Sequence, residues 1–317
     1  MVNWPVIIIL SFLIPVILLP FFIKIIKKYK IGQQIRQEGP DLHQHKMGTP
    51  TMGGIIILIT LIMVFLLFLP HHPVIIYSLI ITLGFGLIGL LDDVIKFIKK
   101  RSMGLTTSAK LFFQIIFSII VAISLQNIVG IDSRVYVFSS ETSINIGIFF
   151  IPVIMIVMIS TVNAVNLTDG LDGLATGLIF VAMLSFSTIA IIQEQWPVGI
   201  FALIIASISL GFLVFNIFPA KIFLGDVGSF TLGGALASVA IFTKTEFLLI
   251  IVGGVFVLET LSVIVQVGSV KIRKKTIFKM SPIHHHFEMC GWKEPRIVRV
   301  FWLIGLFLGV FGVMLYY

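Results

Sequence analysis

The chain has 317 residues, 58% of them hydrophobic and only 11% charged, with a formal net charge of +8. A soluble domain carries about a quarter charged residues, so a water-soluble globule is excluded and no stretch is left for a separate soluble domain. The single cysteine, Cys290, excludes an internal disulfide and a cysteine-based metal motif.

Apolar runs of the length that crosses a bilayer, about 20 residues, recur along the whole chain. They predict ten spans, near 5–26, 52–69, 74–91, 109–129, 147–165, 174–193, 197–215, 228–243, 247–268 and 297–316. The first run has no basic residue before Lys24, which predicts a first span and not a cleavable signal peptide. The polar loop after it ends in Lys46-Met47-Gly48-Thr49-Pro50-Thr51-Met52-Gly53-Gly54, rich in turn formers. Between the fourth and fifth spans, Val135, Val137, Ile144 and Ile146 alternate around Ser139-Ser140-Glu141-Thr142. Period two around a polar turn predicts a small β-hairpin near 134–146. The ninth run contains Gly253-Gly254, Glu259 and Gln266, which predicts a bent or broken helix.

Charge sets the expected topology. With the amino terminus outside, 20 of the 22 Lys and Arg residues fall in or beside the inner loops 24–46, 92–110, 165–173, 216–228 and 269–299, and only Arg134 and Lys244 fall outside. Lys and Arg accumulate in cytoplasmic loops, so ten spans place both termini outside. The net positive charge is thereby explained without nucleic acid as a partner. The expected fold is an all-α integral membrane protein, with residues 1–317 as one polytopic domain and a site built from the five inner loops.

Four polar stretches lie on that inner face. Asp92-Asp93-Val94-Ile95-Lys96 continues the third span; as a helix it puts Asp92 and Lys96 one turn apart and Asp93 about 100° away. Adjacent carboxylates suit a hard cation such as Mg²⁺, or simply mark a span end with solvated charge. Asn166-Leu167-Thr168-Asp169-Gly170-Leu171-Asp172-Gly173 sets two acids in a short glycine-bearing loop, which is also the composition of a plain turn. In Asn216–Ser229, Asp226 has the position of a helix cap, but capping leaves Asn216, Lys221 and the aromatic Phe223 unexplained. Phe223 is able to stack on a nucleobase. In Pro282-Ile283-His284-His285-His286-Phe287-Glu288, consecutive histidines diverge on a helix and lack the i, i+4 zinc spacing. Imidazoles can instead bind phosphate. Acids, lysines, histidines and an aromatic on one membrane face suit a phosphate-rich substrate meeting a lipid.

Taken in order, these stretches resemble the polyprenyl-phosphate hexosamine-1-phosphate transferase superfamily. The Pro-Ile-His-His-His-Phe-Glu run followed by Gly291-Trp292 is similar to its phospho-N-acetylmuramoyl-pentapeptide transferase branch. The resemblance covers almost the whole chain. It implies an enzyme of the bacterial cytoplasmic membrane, Mg²⁺ dependence and a homodimer. It also implies transfer of phospho-MurNAc-pentapeptide from UDP-MurNAc-pentapeptide to undecaprenyl phosphate, giving lipid I and UMP. On that basis Asp226 is the leading metal ligand, with Asp92 and Asp169 as further ligands. Asp92 and Asp93 place the lipid phosphate, and Asp92 is the first candidate base. Asp169 and Asp172 shape the nucleotide and metal region next to Asn166. Asn216, Phe223 and Gly225 form a uridine pocket. Lys46, Lys96 and Lys110, with Thr51 nearby, offset phosphate charge, and His284, His285 and His286 bind phosphate or the sugar side. The rivals are a related transferase acting on UDP-GlcNAc, an ion-coupled transporter, whose acids belong near the bilayer midplane, and a non-catalytic scaffold.

Overall fold

The structure, a computed structural model, describes residues 4–29, 46, 48–68, 72–99, 103–138 and 142–317. Twelve helices are present among them: α1 (Trp4–Lys28), α2 (Gly54–Phe68), α3 (Pro73–Lys99), α4 (Thr107–Ser124), α5 (Phe150–Thr168), α6 (Leu174–Ile192), α7 (Trp196–Asn216), α8 (Gly225–Phe242), α9 (Leu248–Val252), α10 (Gly254–Arg273), α11 (Ile283–Met289) and α12 (Glu294–Tyr316). Among the described residues nine helical segments are long and apolar enough to cross a membrane, and α2 is a shorter apolar helix. The chain is a multi-pass, all-α membrane protein. Its nine long segments and α2 coincide with the ten runs expected from the sequence.

Two local expectations are met. Strands β1 (Arg134–Tyr136) and β2 (Ser143–Asn145) pair antiparallel, with Val135 opposite Ile144; the turn residues 139–141 lie outside the described residues, as does most of the first inner loop. The ninth run is interrupted at Gly253 into α9 and α10. One element was not anticipated: the histidine run forms the short helix α11 where the sequence suggested a loop.

Helix α8 is the axis of the bundle. Every residue from Val227 to Phe242 is buried, although α8 is one of the least hydrophobic spans. Its glycines, alanines and serines let neighbouring backbones approach closely, the usual basis of packing between membrane helices. Helix α3 packs most extensively on it, followed by α5. At the end of the α3–α8 contact where α8 begins, a Cβ added to Gly89 would lie 2.2 Å from the carbonyl oxygen of Asp226. That backbone contact fixes Asp92 and Asp93, one turn further along α3, beside the first turn of α8.

Candidate active site

The first turn of α8 begins at Gly225, whose φ of +75° belongs to the left-handed region, where glycine carries no Cβ penalty. A Cβ here would also lie 2.6 Å from Asp93 Oδ2. Asp93 in turn accepts a hydrogen bond from the Val227 N–H at 3.0 Å, satisfying one of the free donors at a helix N-terminus, where negative charge is favoured. Asp93 from α3 therefore caps α8, and the Asp226 carboxylate is left free to turn elsewhere.

The Asp226 carboxylate turns towards Asp92 and Asp93. One oxygen from each of the three lies within 4.8 Å of the others. Two lysines sit among them. Lys96 Nζ is 2.7 Å from Asp92, 3.3 Å from Asp93 and 3.0 Å from Asp226. Lys110 Nζ, from α4, is 2.5 Å from Asp226 and 3.3 Å from Asp92. The Leu105 N–H donates to Asp92 Oδ1 at 2.8 Å, and Asn166 Nδ2 donates to Asp226 Oδ1 at 3.1 Å and to Ser229 Oγ at 2.9 Å. Two carboxylates at this separation repel by at least about 3 kcal/mol at an effective dielectric of 20, so the trio requires cations. Three carboxylates against two ammonium groups leave one formal negative charge and an all-oxygen donor set, which fits a hard divalent ion such as Mg²⁺.

A second cluster lies across the α5–α6 loop. Lys46 is buried and bridges Asp172 at 2.7 Å and Glu294, the first residue of α12, at 2.6 Å. Asp172 Oδ2 accepts the Ala220 N–H at 2.9 Å, and the Asp172 N–H donates to Glu294 at 2.6 Å. Asp169 lies in the loop between the clusters. Burial first, then the charges of Asp226, Asp93 and Asp172, pushes its carboxyl well above the usual carboxylate range. It is not one of the three converging carboxylates; Asp93 takes that place.

Phe223 sits on the rim. Its N–H donates to the Pro50 carbonyl at 2.8 Å and its carbonyl accepts the Gly53 N–H at 3.0 Å. This zips the loop onto the Pro50–Gly54 stretch that contains Thr51. The half-buried ring has Lys46 Nζ 5.9 Å from its centroid. Asn216 is satisfied inside the protein, receiving a hydrogen bond from Thr176 Oγ1 at 3.0 Å and donating to the Ile222 carbonyl at 3.0 Å; it shapes the Phe223 loop from beneath.

The histidines diverge, as their spacing requires. His284 is fully buried with Nδ1 3.1 Å from Glu259 on α10, and its other ring nitrogen lies against Gly170, where a Cβ would come within 2.2 Å. His285 faces Glu288 at 2.6 Å. His286 accepts the Lys279 N–H at 3.1 Å. Glu259 therefore packs against α11, on the side of the carboxylate clusters. Glu294 had not been singled out from the sequence. Its signal was an acid opening a span directly after a basic loop.

Residues 74–244 match the profile of glycosyl transferase family 4. The chain is 47% identical over 312 residues to the phospho-N-acetylmuramoyl-pentapeptide-transferase of Halalkalibacterium halodurans, covering 97% of this chain and 95% of that one. The chain belongs to the phospho-N-acetylmuramoyl-pentapeptide-transferase family. Further relatives of that name are the protein of a Geobacillus species, 46% identical over 310 residues (96% of this chain, 95% of the relative), and that of Bacillus cytotoxicus, 47% identical over 307 residues (96% and 94%). The two clusters lie together at the ends of its long apolar helices.

Proposed function

We propose that the protein transfers phospho-MurNAc-pentapeptide from UDP-MurNAc-pentapeptide to undecaprenyl phosphate, giving lipid I and UMP. It does so as a homodimer in the bacterial cytoplasmic membrane, with the carboxylate clusters facing the cytoplasm. The observation that carries this is the convergence of Asp92, Asp93 and Asp226 around Lys96 and Lys110, in a chain 47% identical to a transferase of that name.

The reaction joins an oxygen of the lipid phosphate to the sugar-bearing phosphorus of the nucleotide. The bond from that phosphorus to the oxygen bridging to UMP breaks, and the electron pair leaves with UMP. Such transfers depend on positioning and charge neutralisation more than on covalent help from the protein. Asp226, Asp92 and Asp93 would hold Mg²⁺, which when bound neutralises diphosphate charge. Lys96 and Lys110 release their carboxylate partners in part and contact phosphate oxygens. Asp92 takes any proton that remains on the lipid phosphate; with a phosphomonoester second pKa near 6, that demand is small at neutral pH. Asp169, half-buried between the clusters, borders the diphosphate. Lys46, fixed by Asp172 and Glu294, stands beside Phe223, whose ring stacks on uracil, while Asn216 and Gly225 set the loop that presents it. His285 and His286 are placed for the sugar side, and His284 holds α11 against the Asp169–Gly173 loop.

The test is turnover by purified protein. With UDP-MurNAc-pentapeptide, undecaprenyl phosphate and Mg²⁺, UMP should be released in step with lipid I. Release of UMP from UDP-GlcNAc but not from the muramoyl substrate would reject the substrate assignment.

A further inference from the structure

Gln266 is a buried polar residue on α10, about two turns before the helix ends at Arg273. The break in the ninth run falls at Gly253, so Gln266 has another use. Lys274, with a φ of +54°, ends α10, and residues 275–282 follow without regular secondary structure. Backbone groups in such a segment need partners outside any helix or sheet ladder. Gln266 supplies them. Its Oε1 accepts the N–H groups of Ile277 and Phe278, each at 3.0 Å, and its Nε2 donates to the Phe278 carbonyl at 2.9 Å. From Gln266 to Arg273 the helix rises about 10 Å, so this clamp draws the loop back along the last turns of α10.

The clamped segment is the one that meets His286. The Phe278 ring packs edge-on against the His286 ring, with centroids 5.7 Å apart. The Lys279 N–H donates to His286 Nδ1 at 3.1 Å, and Lys279 Nζ donates to the Met289 carbonyl at the end of α11 at 3.0 Å. A backbone N–H can only donate, so Nδ1 is the bare nitrogen and the neutral ring carries its hydrogen on Nε2. Nε2 faces Cys290 Sγ at 3.8 Å, a weak acceptor, and the ring is half-buried. The donor is therefore free for a better acceptor. Helix α11 has seven residues, too few to hold a helix unaided, so its orientation depends on contacts of this kind.

We propose that Gln266 is a positioning residue for the transfer. By clamping Ile277 and Phe278 it holds the Lys279 N–H on His286 Nδ1. This fixes His286 as an Nε2–H donor to a carbonyl or carboxylate oxygen on the sugar–peptide side of the nucleotide substrate, a role that rests on the muramoyl substrate proposed above. Such an oxygen only accepts. Without the clamp the Lys279 N–H withdraws, the ring hydrogen moves to Nδ1 in part of the population, and Nε2 then presents a lone pair to the oxygen it should bind.

Two readouts on the full-length protein test this. Solid-state NMR of protein with ring-¹⁵N histidine in bilayers reports the tautomer, with the His286 signals assigned by their loss in His286→Ala. Wild type should carry the His286 hydrogen on Nε2 alone, and Gln266→Met, matched in length but unable to accept or donate as the amide does, should show both tautomers. No substrate is present, so this arm is independent of which nucleotide sugar the enzyme uses. In turnover, Gln266→Met should raise KM for UDP-MurNAc-pentapeptide about 5- to 10-fold, the scale of one hydrogen bond, and leave KM for undecaprenyl phosphate unchanged. Added to His286→Ala, the same substitution should cost less than about twofold more, because the ring through which it acts is gone. Gln266→Leu takes its place should Gln266→Met fail to fold. A wild-type His286 with hydrogen on Nδ1, a tautomer unchanged in the Gln266 variant, or losses that multiply fully in the double variant would overturn the assignment.

Discussion

Two residues separate metal chemistry from nucleotide recognition. Asp226 is bound by Lys96, Lys110 and Asn166, and Asp226→Asn keeps its shape while removing its charge. Turnover should fall about a hundredfold or more, the scale of losing one preorganised electrostatic contact in a transition state. The melting temperature should stay near that of wild type, and chelation should abolish wild-type turnover; UMP release that persists under full chelation rejects the metal. Phe223→Leu keeps apolar bulk on a half-buried rim position and loses only the π-face. Stacking on a base is worth about 1–3 kcal/mol, so UDP-sugar binding should weaken about 5- to 150-fold while undecaprenyl phosphate binding holds. Equal losses for both substrates would mean a disturbed loop and not a lost stack. At this scale the sequence was only partly legible. Asp92, Asp93 and Asp226 stand out because charge is rare in this chain. Their convergence, with Asp169 set apart, depends on the contact of Gly89 with the Asp226 backbone, which no spacing reveals. Glu294 was missed because an acid at a span start is common and its partner Lys46 is 248 positions away.

Elements were more legible, because the bilayer imposes their length and excludes their charges. The short β-hairpin declared itself by period two and the break before α10 by Gly253-Gly254. Helix α11 did not, since seven residues give too little periodicity to distinguish a turn of helix from a loop. The α8–α9 connection carries its own test. Burial raises Glu246 to about 7, against the lowering effects of its own backbone N–H and of Lys244, while Asp132 raises it. In the unfolded chain the carboxyl titrates near 4.5, so between about pH 4.5 and 7 the folded state binds the extra proton. Its contribution to stability is complete below that window and is lost as pH rises through it, by at most about 3 kcal/mol. In lipid-free detergent the melting temperature of wild type should therefore fall, relative to Glu246→Gln, between pH 5 and pH 8. Parallel profiles for the two proteins would show that Glu246 is solvated.

For the whole molecule, the decisive property is that both carboxylate clusters lie at one end of the bundle. Basic loops predict that this end is cytoplasmic; Asp226, Asp172, Lys46 and α11 meet there across loops from different helices, while Glu246 and the hairpin occupy the far end. The native cysteine supplies the measurement. Cys290 is exposed and follows α11 directly, on the side of the carboxylate clusters. In sealed right-side-out vesicles, a membrane-impermeant maleimide should leave wild type unlabelled, and lysis should expose Cys290 to full labelling. Replacing Cys290 with serine and placing a cysteine at Glu194, in the short α6–α7 turn at the opposite end, should reverse the pattern, with full labelling before lysis. If Cys290 reacts in intact vesicles and the residue at 194 does not, the carboxylate clusters face away from the cytoplasm. A nucleotide-linked sugar made in the cytoplasm would then have no access to them, and the transferase assignment for this site would fall with the orientation.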